Sequence, residues 1–520
     1  MYQPTGLLAL CLLATLVRPV VCGVHEVWWD ITYVQNVNPD GLFARRVIGV
    51  NGSWPPPPIE VSTSDTLIVH AHNSLEQATT LHHHGMFFNS TSWMDGALGV
   101  TECGIPPGAS FDYVVPVDTS GQWGTYWVHA HSSGQYVDGL RAPLLLHPSR
   151  EVHTYDADFT VRIPVARNQY LTDVQESPID VLSVTVAQRY SVLVTARNDT
   201  SSNWAIHANM DTDMFDVVPD TLNPNVTTSI TYSSSASLTD LGFIDEYHDV
   251  NDVAIVPVEV IAQPPVTKTI DLEVLFDTVD DGTNRAMFNQ ITWNAPKVPG
   301  IFSALSLGPN ATSEAAYGPL SFLIEYGDVV DLVIKNGDAG KHPFHLHGHK
   351  FQIVGRSEDY TSDNVTLNPP IVEGQANPIR RDTVQIPSMH SATLRIVADN
   401  PGAWFMHCHI EWHLESGLAM QLIEAPLLAQ QRNTVPQAMY DHCKAQGMLY
   451  SGNAAGHASP TDLSGLKEGP FVQKLGWRPK GIVAMTGCVL TAVLGMLTVV
   501  WYMWGAPDDE GEPHDNAPEK

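Results

Sequence analysis

The chain has 520 residues, 43% of them apolar, enough to bury several cores; at roughly 150 residues per domain it predicts about three domains rather than one. Lys and Arg total 26 against 56 Asp and Glu, a formal charge of -30, so polyanions are repelled, no nucleic-acid partner is expected and cations are favoured visitors. The same acidity also suits the surface of a soluble secreted protein.

Residues 1–23 carry a short apolar core, Leu7 to Ala14, followed by small residues ending at Gly23, which reads as a cleaved secretory signal. From residue 24 to 480 short runs alternate apolar and polar positions. Examples are Thr66-Leu67-Ile68-Val69-His70, Tyr190-Ser191-Val192-Leu193-Val194 and Val329-Val330-Asp331-Leu332-Val333-Ile334. Turn-forming stretches such as Pro55-Pro56-Pro57-Pro58 and Asp280-Asp281-Gly282 separate them, so the expected fold class is all-β, a set of sandwich domains. The expected boundaries are 24–150, 151–265 and 266–435, with 436–480 as a C-terminal extension and stalk. The middle segment holds only scattered histidines, His153, His207 and His248, and reads as a spacer.

Gly481 to Trp504 is uncharged and long enough to cross a bilayer as one C-terminal helix, with Trp501, Tyr502 and Trp504 suited to the membrane interface. Signal and span together imply a single-pass type I protein, its bulk outside the cell and residues 505–520 as an acidic cytoplasmic tail. Arg478 and Lys480 fall on the outer side, so the orientation rests on the signal. Sequons at Asn51, Asn89, Asn198, Asn225, Asn310 and Asn364 suit an extracellular glycoprotein. Of the six cysteines, Cys11 and Cys22 lie in or at the end of the signal and Cys488 in the span. Of the remaining Cys103, Cys408 and Cys443, one has metal work and the other two are candidates for a disulfide.

A faint internal repeat carries the chemistry. His82-His83-His84-Gly85 and His345-Leu346-His347-Gly348 are each followed by a second pair, His129-Ala130-His131 and His407-Cys408-His409. On a strand, His-x-His puts both rings on one face. The pairs His82/His84, His129/His131, His345/His347 and His407/His409 supply eight imidazoles, which can hold three copper ions if the early and late domains meet. His70, His72, His83 and His349 are expected bystanders.

Cys408 is the most informative residue, because it lies between His407 and His409 and must point to the opposite face. With His342 and His413 it completes the His2Cys set of a blue-copper electron-transfer site, joined to the cluster by the backbone on either side. Leu418, five residues after His413, stands where an axial Met often sits. It predicts a three-coordinate copper of raised potential, or else it is plain core.

His342-Pro343-Phe344-His345-Leu346-His347-Gly348 and His407-Cys408-His409-Ile410-Glu411-Trp412-His413-Leu414 resemble the signature of multicopper oxidases. With one C-terminal span, the chain is most similar to the fungal plasma-membrane iron-transport ferroxidases. The resemblance implies three cupredoxin-like domains and four copper ions: one type 1, one type 2 and two type 3. By motif position His82 and His345 become type 2 ligands. His84, His129, His131, His347, His407 and His409 hold the type 3 pair, and His342, Cys408 and His413 form type 1. Asp95 and Glu411 match carboxylates that supply protons, or are structural acceptors. Asp338 and Asp277 match carboxylates that hold iron; hard oxygen ligands favour Fe(III) and make the bound ion a better reductant. Cys103 and Cys443 match a disulfide between the first domain and the C-terminal extension. Fe(II) and O2 are the implied substrates and a membrane iron permease the implied partner.

One departure stands out. Between Thr160 and Pro178 the family's middle-domain carboxylate has no recognisable counterpart, and this domain is some tens of residues short. A laccase-like oxidase of phenols or other organics, and a non-catalytic copper-binding or assembly subunit, therefore remain alternatives.

Overall fold

The protein is seen here in a computed structural model that describes residues 23–38, 43–149, 181–215, 217–240, 252–467 and 479–505, with 41, 153–154, 174–175, 242 and 469 between them. The expected signal, nearly all of the stretch from Thr160 to Pro178, and the acidic tail lie outside the described residues. The chain divides into two compact units, Met1–Phe471 and Val472–Lys520.

The first sandwich is built from β1 (Val24–Val37), β2 (Arg45–Val50), β3 (Ile59–Ser62), β4 (Thr66–Asn73), β5 (His82–His84), β6 (Ser110–Val115), β7 (Gly124–His129) and β8 (Arg141–His147). Its two sheets have the orders β2-β1-β4-β6 and β3-β8-β7-β5. The alternation expected at Thr66–His70 is borne out: Leu67, Val69 and Ala71 are fully buried along β4 while the residues between them face outward.

Three strands follow in the middle domain, β9 (Ser202–Asn209), β10 (Asn225–Ile230) and β11 (Ser237–Thr239), ordered β10-β9-β11. Tyr190–Val194, expected as a strand, is not one. Val192, Leu193 and Val194 are 54%, 48% and 69% exposed, so the alternation there buries no apolar face. Alternation gives a segment strand propensity, but burial of one face is what makes the propensity count.

The last sandwich contains β12 (Lys268–Thr278), β13 (Asn284–Phe288), β14 (Ser321–Ile324), β15 (Val329–Asn336), β16 (His342–Leu346) and β17 (Phe351–Ser357). It is completed by β18 (Arg380–Arg381), β19 (Thr383–Ile386), β20 (Ser391–Val397), β21 (Gly402–Cys408) and β22 (Ala419–Glu424). Its sheets run β13-β12-β15-β20-β17-β18 and β14-β22-β21-β16-β19.

The internal repeat is a repeat of strand pairs. β5 pairs antiparallel with β7 so that His82 opposes His129, and β16 pairs antiparallel with β21 so that His345 opposes His407. The same two-strand unit thus presents histidines in each sandwich.

The helix Gln437–Ala445 ties the C-terminal extension back to the first domain. Cys443 is bonded to Cys103 with Cα atoms 5.0 Å apart, and the Gln446 amide donates to the carbonyls of Cys103 and Gly104. In the second unit, Pro479–Trp504 is a 26-residue helix of mean hydropathy 2.2 in its most apolar window, long and apolar enough to cross a membrane.

The first domain also buries a carboxyl group. Glu102 is 3% exposed and receives the Tyr113 hydroxyl at 3.1 and 3.2 Å; burial pushes its carboxyl up to about 8 from an ordinary 4.5. Between those values the folded chain binds one proton more than the unfolded chain, so stability falls as pH rises across that window. Glu102→Gln, which is always neutral, should flatten this fall: its Tm relative to the wild type should rise progressively from pH 5 to pH 8, as measured by calorimetry.

Candidate metal centre

Eight imidazoles converge where the first and last sandwiches meet. Their ring nitrogens form three groups: His82, His84 and His345; His84, His129 and His409; and His131, His347 and His407. Rings from the two domains stack directly, His82 on His347 at 3.9 Å and His84 on His345 at 3.6 Å between centroids.

Outer partners turn the rings. His82 Nδ1 donates to the Asp95 carbonyl at 2.6 Å, His347 Nδ1 to Asp95 Oδ2 at 2.7 Å and His345 Nδ1 to the Asp382 carbonyl at 2.9 Å. His129 and His407 each use Nδ1 on the carbonyl of the next residue, Ala130 and Cys408, at 2.9 Å. In all five the Nε2 is left to point inward.

These nitrogens fit a metal. His82 Nε2, His129 Nε2, His345 Nε2, His84 Nδ1 and both nitrogens of His409 are buried with no hydrogen-bond partner. In the third group His407 Nε2 faces the Nε2 of His131 and of His347 at 3.1 Å. Orphaned buried acceptors and opposed lone pairs are costly, and a copper ion that accepts those lone pairs removes the cost. Burial, reinforced by neighbouring rings, holds His84, His129, His345, His347 and His407 well below the ordinary histidine range and His131 and His409 at about 3. Neutral imidazole is the ligating form.

On the opposite face of β21 lies the other site. Cys408 Sγ is 3.5 Å from His413 Nδ1 and 3.8 Å from His342 Nδ1, and the two Nδ1 atoms are 3.0 Å apart. Burial raises the free thiol, as it does for any group whose charged form is desolvated, and a bound cation reverses that preference. Leu418 is fully buried there, its amide donating to the His413 carbonyl and its carbonyl accepting from the Cys408 amide.

Of the four carboxylates, Asp95 and Asp338 bond site histidines, while Glu411 and Asp277 bond backbone amides instead. Asp95, fully buried, contacts two cluster rings. Glu411 is 7% exposed, its carboxyl pushed up to about 8 by burial with a contribution from Glu415, and it accepts the Gly134 amide of the first domain at 2.9 Å. Asp338 Oδ2 accepts from His342 Nε2 at 3.0 Å, and that bond holds its carboxyl below the usual range. Asp277 accepts the Thr278 amide at 2.7 Å and makes no hydrogen bond to Asp338, His342 or His413. Its neighbour Phe276 is the residue in contact: it stacks on His342 and meets His413 edge-on.

Of the expected bystanders, His83 is core, packed against Phe88 and Tyr113, and burial holds it at about 3. His349 pairs with buried Glu424 at 2.9 Å, while His70 and His72 bond Asp112 and Ser110 on the surface. Asp382 escaped sequence reasoning. Its carbonyl orients His345, and its carboxylate grips Arg189 of the middle domain at 2.8 and 2.9 Å. The run Arg380-Arg381-Asp382, three charges inside an apolar strand pattern, was its signal.

Residues 31–151, 171–235 and 290–427 each match the multicopper oxidase family. The chain is 42% identical to the iron multicopper oxidase fer1 of Mycosarcoma maydis over 97% of its own length and 96% of that protein's. It is 36% identical to the iron transport multicopper oxidase fio1 of Schizosaccharomyces pombe, covering 98% of this chain and 94% of that one. Its backbone superimposes on the crystal structure of Fet3p, described as a multicopper oxidase that functions in iron import, with a TM-score of 0.78 and 30% identity, covering 87% of this chain and 100% of that one. The chain belongs to the multicopper oxidase family. Its alignment to fer1 runs to 611 positions against the 520 residues of the whole chain, so at least 91 aligned positions have no residue here. The middle match, 171–235, is the shortest of the three.

Because the Asp95 side chain orients the His347 ring, whereas His82 bonds a backbone carbonyl that alanine keeps, Asp95→Ala should weaken copper retention against a chelator by about 10–100-fold, read as copper per chain by elemental analysis.

Proposed function

We propose that this chain is a membrane-anchored ferroxidase that oxidises Fe(II) to Fe(III) while reducing O2 to water. The observation that carries the reading is the Asp338 carboxylate bonded to the outward nitrogen of His342, whose other ring nitrogen faces Cys408. A hard anionic oxygen there binds iron, favours its oxidised state and touches the ring through which the electron leaves.

His342, Cys408 and His413 would hold a type 1 copper, and Leu418, buried and bonded through its backbone to His413 and Cys408, would offer it no ligand atom. His82 and His345 would hold type 2, and the groups His84/His129/His409 and His131/His347/His407 would hold the type 3 pair. When bound, the coppers supply one-electron uptake at the first site and four-electron reduction of O2 at the cluster. The protein supplies the rest. Cys408 shares a backbone with His407 and His409, and the His407 ring is bonded to the Cys408 carbonyl, so the two sites are covalently and hydrogen-bond connected. Each O2 takes four electrons and four protons, and two buried carboxyl groups, Asp95 on the His347 ring and Glu411 two residues after His409, are the proton carriers of this reading.

The apolar Pro479–Trp504 helix anchors the catalytic domains at the outer face of the plasma membrane, and Fe(III) passes to an iron permease in that membrane. Relatives named as iron transport oxidases support this placement. A laccase-like oxidase of phenols is the second reading, favoured by the partly exposed His413 ring next to Trp412, itself 64% exposed.

Asp338→Ala should raise the KM for Fe(II) by roughly 10–100-fold, the worth of one charge-assisted contact, and leave phenol oxidation and the blue absorption intact. Wild-type protein with no preference for Fe(II) over a phenol would defeat the ferroxidase reading.

A further inference from the structure

The rim of the electron-uptake site is built by a loop from the middle domain. Lys341, next to His342, donates to Asp211 Oδ2 at 2.8 Å and to Asp213 Oδ2 at 2.9 Å, and its backbone amide meets Met214 Sδ at 3.4 Å. Three consecutive contacts from one residue thus tie the segment 211–214 to the strand end that carries His342.

Gly340 shows how tightly the loop is seated. A methyl group added there would lie 2.8 Å from Met214 Cε, 3.0 Å from Asp338 Oδ2 and 3.5 Å from His342 Nε2. With Met214 Cε inside ordinary contact distance, not even a methyl group fits between the loop and the Asp338–His342 pair. Phe276 stacks on the ring of His342 from another side, 5.2 Å between centroids, and the His342 side chain is 0% exposed while Asp338 keeps 23%. A planar aromatic molecule has no face of His342 to lie on; an ion at the Asp338 carboxylate needs none.

We propose that Lys341 is a positioning residue that sets substrate specificity: by clasping Asp211 and Asp213 it seats Met214 over the outward edge of His342, closing that edge to organic reductants and leaving it to a metal ion. The inference rests on the ferroxidase reading and sharpens it, because it names the feature that closes His342 to phenols and leaves them only the partly exposed His413 ring. The ion pair is exposed enough for solvent and salt to weaken it, with side-chain exposures of 33% at Lys341, 43% at Asp211 and 72% at Asp213. Its role is therefore to hold a register that Met214 completes by packing, rather than to stabilise the domain.

The test uses the copper-loaded full chain with Fe(II) and with 2,6-dimethoxyphenol as alternative reductants. Lys341→Ala and Met214→Ala should each lower the phenol KM roughly tenfold, the discrimination a small apolar group provides in a pocket, without raising the KM for Fe(II). Lys341→Arg, which keeps the charge and both carboxylate contacts, should behave as wild type. Amide hydrogen exchange should show faster exchange at residues 211–215 in Lys341→Ala and unchanged exchange in Met214→Ala. An unchanged phenol KM in Lys341→Ala or Met214→Ala, or a Lys341→Ala effect without faster loop exchange, overturns the proposal. Failure of the ferroxidase reading shows separately, as a wild-type enzyme without iron preference.

Discussion

One alternation governs the molecule. In an extended strand successive side chains leave on opposite faces, so a cysteine between two histidines aims its sulfur one way and both imidazoles the other. β21 is that strand, fully buried from Gly402 to Cys408. Its sulfur meets His342 and His413, and its flanking rings meet histidines of the first domain. No rotamer change moves Cys408 to the other face without a shift of register that would expel the whole buried set.

A second constraint follows from the first. β21 and β16 supply only half of a cluster, so the other half must come from β5 and β7 in a domain more than two hundred residues away in sequence. The joint is correspondingly well secured. Imidazoles stack across it, Glu411 accepts an amide of the first domain, the Tyr136 hydroxyl donates to the His409 carbonyl at 3.0 Å, and a disulfide closes a separation of 340 residues. In the oxidised chain that crosslink removes much of the freedom of the unfolded state, an effect worth about 6 kcal/mol in the chain-entropy account. Arg189 buttresses the same joint from the middle domain through Asp382. A domain that looks like a spacer in the sequence therefore reaches both ends of the electron path, at Asp382 below the cluster and at Lys341 on the rim.

Much of this was legible in the sequence because copper chemistry is local in sequence when strands carry it. The four His-x-His pairs, the cysteine between two of them, and Asp95 just after the first pair are spacing patterns, and spacing survives without coordinates. The all-β class was legible for the same reason, in the alternation of β4 and β15. What escaped depends on contacts between distant segments. Asp382 works through a backbone carbonyl that any residue type would offer. Tyr190–Val194 has strand-like alternation, yet Val192, Leu193 and Val194 all lie exposed, and exposure of that kind is not written in a local pattern. Phe276, rather than Asp277 beside it, touches the electron-uptake histidines, and a motif match cannot tell which of two adjacent residues faces inward.

The account stands on Cys408 joining two metal sites that are otherwise separate. Cys408→Ser changes one atom on one face of β21 and leaves all eight cluster imidazoles in place, so copper content, the blue absorption and oxygen consumption of this variant test the account most directly. Three coppers retained, the blue band lost and oxygen consumption abolished is the predicted result. A variant that still oxidises its reductant and consumes oxygen at the wild-type rate would contradict it.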